Sequence, residues 1–300
     1  MKKQFLLSIA ISLTFFSIGF LLLYYNLIEY GLSFFVLLPF IVGFMLGKSL
    51  VKQGSLYGLA LSLVAFCGFI IAFGLEGIIC VFMALPLILA AALIGVAFRN
   101  FISKYENKNK TLPDNSIKKS ILPLFIFLGV SFGEKQLTKN DKEIVSVKSE
   151  IILPYSSLEV YEGLKTFDTL IADKPFLMKL DLPIPTKCIL EKDEVGGIRT
   201  CYFTGGTITE RITELEKAKI IRMDVIDHNL PGRKWLGFKE AIYYFDTVGQ
   251  DSCKLTRVTT YTSELSPRFY WQPLEKMGIS QEHEYVFASL LNNLKTKYGR

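Results

Sequence analysis

Hydrophobic and polar positions follow two different rhythms along this chain. Over residues 187–264 they alternate with period two, in short runs rich in β-branched and aromatic side chains. Cys188-Ile189-Leu190 leads to the turn Glu194-Val195-Gly196-Gly197, and the run 198–203 follows. Gly205-Gly206 separates it from 207–215, after which come 219–225, 238–247 and 253–262. Alternation of this kind, punctuated by glycine or Gly-Gln-Asp, predicts an antiparallel meander of about six strands. Upstream, 144–152 reads as a first strand. Pro154-Tyr155 then opens a helix to about Phe167, with Ser156 or Ser157 as N-cap and Glu159 in the first turn. A second short helix is expected over 167–173. At the end of the chain, Ser280 caps an expected helix to Tyr298. Its Val286, Phe287, Leu290, Leu291, Leu294 and Tyr298 recur at helical spacing. The economical packing is a curved sheet wrapped around that last helix.

Before residue 99 the rhythm disappears into long apolar runs. Residues 5–23 follow Met1-Lys2-Lys3 like a signal peptide, but the run is too long, lacks a small-residue cleavage site and precedes more apolar segments. It reads as a retained first span. A second is expected over 31–46, and 55–98 holds two more separated by Gly74-Leu75-Glu76-Gly77. Residues 1–98 are thus expected to form a four-helix membrane domain of two hairpins. The hairpins resemble each other: Glu29 and Pro39 recur as Glu76 and Pro86, each 47 residues on, with Gly47 and Gly95 downstream. That spacing predicts a parallel two-helix repeat. Glu29 and Glu76 are read as hairpin-tip carboxylates facing interfacial water, the other reading being a buried functional pair.

Charge then orients these segments. Lys2, Lys3, Lys48, Lys52, Arg99, Lys104, Lys108, Lys110, Lys118 and Lys119 fall on one side of four spans, with Glu29 and Glu76 on the other. By the positive-inside rule the N-terminus and a basic linker over 99–119 are cytoplasmic, in a cell (inner) membrane. Residues 120–133 are apolar but short, about 21 Å as a helix against a hydrocarbon core of about 30 Å. They read as a short fifth span, with an interfacial or re-entrant segment as the other reading. If they span, the domain over 140–300 is extracytoplasmic.

The net charge of +6 reflects these flanks rather than a nucleic-acid patch, so no nucleic-acid partner is expected. With five cysteines, two histidines and no CxxC spacing, neither a zinc site nor a disulfide framework is expected. No phosphate loop, cofactor fingerprint or Gly-x-Ser-x-Gly setting occurs, and no catalytic set is assigned.

The order of strand, short helices, meander and long C-terminal helix resembles the START-like (SRPBCC, helix-grip) superfamily, particularly its polyketide cyclase/dehydrase and lipid-transport branch. The resemblance covers about 144–298. It rests on the strand, turn and helix from Ile151 to Glu162, on Gly197–Phe203 through Ile212, and on the hairpin from Gly249 to Thr259. The membrane half lies outside the resemblance, so the fold expected is a multi-pass α-helical membrane domain of four or five spans, read from the apolar runs, followed by an α+β helix-grip domain, which the resemblance implies. A cavity between sheet and helix would hold a lipid or other hydrophobic small molecule. The bilayer is then the second partner, no cofactor is implied, and a binding or transfer role is favoured over a cyclase, dehydrase or hydrolase or a membrane sensor.

Candidate ligand-binding residues follow from strand and helix parity. Cys253, Leu255, Arg257, Thr259 and Tyr261 share one face of the last strand, which turns Arg257 and Tyr261 inward if Leu255 is buried. Glu210 and Glu240 are candidate partners for Arg257. His283 lies at the edge of the last helix's apolar stripe, as a packed histidine or a ligand group. Tyr270 and Trp271 are placed at a cavity entrance, at a bilayer interface or in the core.

Overall fold

The computed structural model describes residues 2–50, 53–106, 116–138, 143–230, 235–249 and 251–299. By contacts the chain divides into two units: a helical one of Met1–Glu76, Cys80–Lys142 and Glu264–Tyr270, and a sheet one of Gly77–Ile79, Glu143–Ser263 and Trp271–Arg300.

The alternating runs form one seven-stranded antiparallel sheet. Its strands are β1 (Ile144–Leu153), β2 (Pro185–Leu190), β3 (Ile198–Phe203), β4 (Gly206–Glu216), β5 (Ile220–Asn229), β6 (Leu236–Gly249) and β7 (Ser252–Ser263). They are ordered β1-β7-β6-β5-β4-β3-β2, so β1 joins the meander's last strand. Register shifts in the β4–β5 and β6–β7 pairings insert extra residues, which bend a strand and raise its twist. Between β1 and β2 lie α6 (Ser157–Leu164) and the one-turn α7 (Phe176–Lys179).

Ser156 caps α6 as expected. Its Oγ accepts from the Glu159 N–H while the Glu159 carboxylate accepts from the Ser156 N–H, a reciprocal capping box. The helix expected over 167–173 is absent: Phe167 and Cys188 exchange backbone hydrogen bonds at 2.8 and 2.9 Å, so this stretch pairs beside β2. The one-turn helix forms nine residues later.

The C-terminal helix α8 (Arg268–Tyr298) begins twelve residues before the expected Ser280 cap and carries Pro273 within it. Helical spacing continues upstream in the sequence, but through residues that looked polar. Trp271, Glu275, Ile279 and His283 extend the buried stripe of Val286, Phe287, Leu290 and Leu294. Val286, Phe287, Leu290 and Leu294 pack with Leu153, Tyr161, Met223, Phe245 and Leu255 into one core, and Ile279 packs in a second with Val145, Val147, Leu236 and Tyr261.

The helical unit holds α1 (Lys2–Tyr24), a π-helical turn (Ser33–Leu37) running into α2 (Leu38–Leu50), α3 (Gln53–Ala72), α4 (Ile78–Glu106) and α5 (Ser116–Thr138). The π turn precedes Pro39, whose ring cannot share an α-helical path with the carbonyl four residues back. Glu29 and Glu76 both lie in loops, where the Tyr30 hydroxyl donates to Glu76 Oε1 at 3.3 Å. Gly43 and Gly95 let α2 and α4 meet: a Cβ on Gly43 would lie 2.0 Å from the Ala92 carbonyl oxygen, and one on Gly95 2.1 Å from that of Phe40. The expected 120–133 segment is the middle of α5. At its end, Glu134 accepts from the Leu32 and Ser33 N–H groups at 2.6 and 3.0 Å, and Lys135 donates to the Asn26 carbonyl.

Among the described residues, two helical segments are long and apolar enough to cross a membrane, Phe5–Tyr24 and Ile78–Lys104. The expected four or five spans are therefore not supported by helix length and apolarity. The apolar helices Ser33–Gly47 and Tyr57–Ala72 are shorter, about 23 Å at 1.5 Å per residue against a core of about 30 Å. Residues 107–115 of the expected linker lie outside the described residues.

Candidate functional site

Strand parity places one polar group after another on the sheet's inner face. On β7, Cys253, Leu255, Arg257, Thr259 and Tyr261 are all buried, so Arg257 and Tyr261 point inward as the alternation predicts. On β3 the same rule turns Arg199 and Cys201 inward, and on β4 it turns Ile208, Glu210 and Ile212. Tyr243 of β6 is the direct neighbour of Arg257 in the ladder, as Glu210 is of Arg199. Glu282 of α8 faces them from the helix.

These side chains line a small cavity, with Phe167 and Leu170 from the α6–α7 connection and the apolar edge of α8 closing its other sides. About 30 Å³ is open to the centre of a water-sized sphere, room for about two water molecules. Arg257 Nη1 is 2.9 Å from Glu282 Oε2. Arg199 Nη1 donates to Glu210 Oε2 at 3.3 Å and its Nη2 to the Leu164 carbonyl at 3.3 Å. The Tyr243 ring carries both guanidiniums, with Arg199 Cζ 5.8 Å and Arg257 Cζ 5.4 Å from its centroid. Neither arginine's Nε has a hydrogen-bond partner, although both atoms are buried. Burial pushes the Glu210 carboxyl above its usual range, while the nearby Arg199 and Arg257 charges pull it back.

Beside the cavity, α8 and β7 share a second set of buried polar groups. His283 is fully enclosed, its Nε2 2.8 Å from Thr259 Oγ1 and its Nδ1 2.9 Å from Ser149 Oγ. Both ring nitrogens are engaged, so His283 is a packed histidine, one of the two settings expected for it. Burial, reinforced by the Arg257 charge, pushes its pKa down to about 2. Tyr261 donates to Glu275 Oε2 at 3.1 Å, and Ser263 to Glu275 Oε1 at 2.6 Å.

The remaining candidates fall elsewhere. Glu240 pairs with Arg222 at 2.9 Å, away from Arg257, because its strand position faces the opposite side of the sheet from Ala241 and Tyr243. Trp271 is buried in the stripe of α8. Tyr270 counts with the helical unit, its hydroxyl donating to the Met83 carbonyl. Arg199 and Glu282 went unrecognised in the sequence, yet both carried a signal. Arg199 shares parity with Cys201, and Glu282 sits three residues after Ile279 and four before Val286.

Cys188 and Cys201, directly opposite on β2 and β3, form a disulfide in the cavity wall. This corrects the expectation drawn from cysteine spacing: the two residues meet through strand pairing, which spacing motifs do not encode. Among the described residues no group of His, Cys, Asp or Glu is arranged to hold a metal ion.

No protein-family model matches the chain, and no curated protein matches it. Among solved structures it is similar to Zhui aromatase/cyclase from Streptomyces sp. R1128, at 14% identity over 52% of this chain and 96% of that one, with a TM-score of 0.38. A START superfamily protein from Mycobacterium smegmatis is similar at 12% identity over 50% and 97%, with a TM-score of 0.37. Norcoclaurine synthase from Thalictrum flavum, in complex with dopamine and hydroxybenzaldehyde, is similar at 16% identity over 54% and 90%, with a TM-score of 0.35. The sheet unit has a helix-grip architecture by its own strand order and C-terminal helix.

Proposed function

We propose that this protein holds a hydrophobic small molecule, a lipid or similar compound, in its sheet unit, while the helical unit anchors it in a membrane. The observation that carries the reading is the cavity itself, where two buried guanidiniums keep unbonded Nε donors. Interiors evolved only for stability rarely leave charged donors unmatched, since each costs about 1–3 kcal/mol or more. Pockets for drug-sized ligands measure about 300–1,000 Å³, so the cavity has to widen to take one. Entry requires the wall to part, and Phe167 and Leu170 belong to the irregular connection, the part of that wall outside the sheet and α8.

Anchoring is supported by the two long apolar helices and by large exposed apolar side chains on others, such as Tyr57 and Val64 on α3 and Phe125 and Phe132 on α5. Water would not favour so much contiguous apolar surface. The distribution of basic residues supports a cytoplasmic N-terminus. The end of α5 meets the loop after α1, which supports an arrangement in which α5 crosses in addition to the two long apolar helices and the sheet unit is extracytoplasmic. A disulfide in that unit agrees, because disulfides persist in oxidising compartments.

The test uses the full-length protein in detergent. Solvent extraction and mass spectrometry should find an apolar molecule near one per chain, and 1-N-phenylnaphthylamine should compete with it. Leu170→Trp, which fills the cavity, should abolish both. A protein that carries nothing, and a probe signal unchanged by Leu170→Trp, would remove the reading.

A second reading, an enzyme of the cyclase or dehydrase kind, is favoured by one observation: Glu210 is a buried cavity carboxyl whose proton affinity is raised, the condition for a general acid. Under it, Glu210→Gln should keep ligand but lose turnover.

A further inference from the structure

Arg199 is 3% exposed and Arg257 9%, and the geometry satisfies each only in part. Arg199 spends Nη1 on Glu210 and Nη2 on a backbone carbonyl. Arg257 Nη1 lies 2.9 Å from Glu282 Oε2, an ion pair without hydrogen-bond geometry. What remains in the cavity wall is an Nε–H from each arginine and the Nη1 of Arg257, with no hydrogen-bond acceptor in the protein. The open volume, about 30 Å³, suits about two water-sized atoms, the number of oxygens in a carboxylate. A phosphate ester head is larger, carries more oxygens and would have to widen this end of the cavity further than a carboxylate does. Arginine is the side chain suited to planar two-oxygen acceptors.

We propose that the cavity takes its apolar ligand by a carboxylate end, held between the Arg199 and Arg257 guanidiniums, as in a fatty acid or an aromatic acid. The inference rests on the ligand-binding reading above and names the ligand's polar end. It also carries a proton. The cluster of Arg199 from β3, Arg257 from β7, Glu210 from β4 and Glu282 from α8, with Tyr243 from β6 between the arginines, is neutral when all four charged groups are ionised. Adding a carboxylate leaves one surplus negative charge in a buried site, which is costly unless a carboxyl takes up a proton. Glu210 is the group placed to do so: its contact to Arg199 is the longer, 3.3 Å against 2.9 Å for Glu282 to Arg257, and burial already favours its neutral form.

The test is equilibrium binding to the full-length protein in detergent, with octanoate, 1-octanol and octyl phosphate as probes. At pH 7 octanoate should bind at least tenfold more tightly than 1-octanol. Arg257→Gln/Glu282→Gln, which keeps the net charge, should erase that preference while leaving 1-octanol binding in place. Glu210→Gln, neutral from the start, should bind octanoate several-fold more tightly and without the proton uptake seen in the parent. Equal binding of octanoate and 1-octanol, tighter binding of octyl phosphate, or weaker octanoate binding by Glu210→Gln would each overturn the carboxylate assignment and leave the apolar cavity standing. Binding of none of the three overturns both.

Discussion

Arg257 on β7 and Glu282 on α8 form an ion pair at 2.9 Å inside the grip, the first rung of a polar ladder between that strand and helix. The ladder continues with Thr259 to His283, then Tyr261 and Ser263 to Glu275. Arg257 and Thr259 meet the 282–283 pair and Tyr261 and Ser263 meet Glu275, about two turns earlier in the helix, so the two elements run antiparallel. Glu275, Glu282 and His283 of α8 each meet a polar side chain of the sheet, which defines how far the helix slides along β7.

The ladder's charged rung should be costly to break and nearly neutral to replace. Glu282→Ala strands a buried guanidinium and should lower stability by about 3–5 kcal/mol. Arg257→Met/Glu282→Leu removes both charges and should fall within about 1–2 kcal/mol of the parent, or above it. Urea unfolding followed by tyrosine and tryptophan fluorescence measures both. A single variant as mild as the double would show that water reaches the pair.

His283 makes a pH prediction with a definite sign. Its folded pKa is pushed down to about 2 from 6.5, so between those values the unfolded chain binds a proton that the folded one does not. Stability contributed by neutral His283 is full above pH 6.5 and is lost as pH falls, at about 1.4 kcal/mol per unit. His283→Gln should flatten this part of the stability curve, measured by urea unfolding at pH 7.5, 6 and 5. An unchanged slope would exclude His283 as its source.

The cysteines can be counted. Cys67, Cys80 and Cys253 are free while Cys188 and Cys201 are paired, so the denatured, unreduced protein should take up three maleimides and the reduced protein five. The bridge closes a loop with a sequence separation of 13, and its reduction should cost about 3 kcal/mol on the chain-entropy account. Intact mass spectrometry reads the labels, and paired melts with and without reductant read the stability. Five labels without reductant would mean that the bond does not form in the cell.

Topology gives the fourth prediction. Reporter fusions after Lys110 and after Lys139 flank α5 (Ser116–Thr138). The first should give a cytoplasmic signal and the second an extracytoplasmic one. Matching cytoplasmic signals would place the sheet unit on the inner face and would remove the proposal of an extracytoplasmic ligand.

Local pattern alone determined the strand series, the capping box at Ser156 and Glu159, and the inward face of β7, because each depends on neighbours within a few residues. Period two tells which side of a strand a residue takes, and a side chain three residues away can close a helix end. The same logic reached Arg257 and Tyr261 as interior groups. It stopped at their partners, since parity says that a residue points inward but not what it meets there. Only the folded chain brought Glu282 to Arg257, Ser149 to His283 and Cys188 to Cys201, contacts set by the alignment of α8 on the sheet and the register of β2 on β3. Composition hid the first three turns of α8 for a related reason: Glu275 looks solvated in sequence, and becomes a core residue because β7 supplies Tyr261 and Ser263 to satisfy it. Span number likewise escaped composition. Apolarity says that a segment avoids water, and the length of each helix then decides which segments are long enough to cross a bilayer.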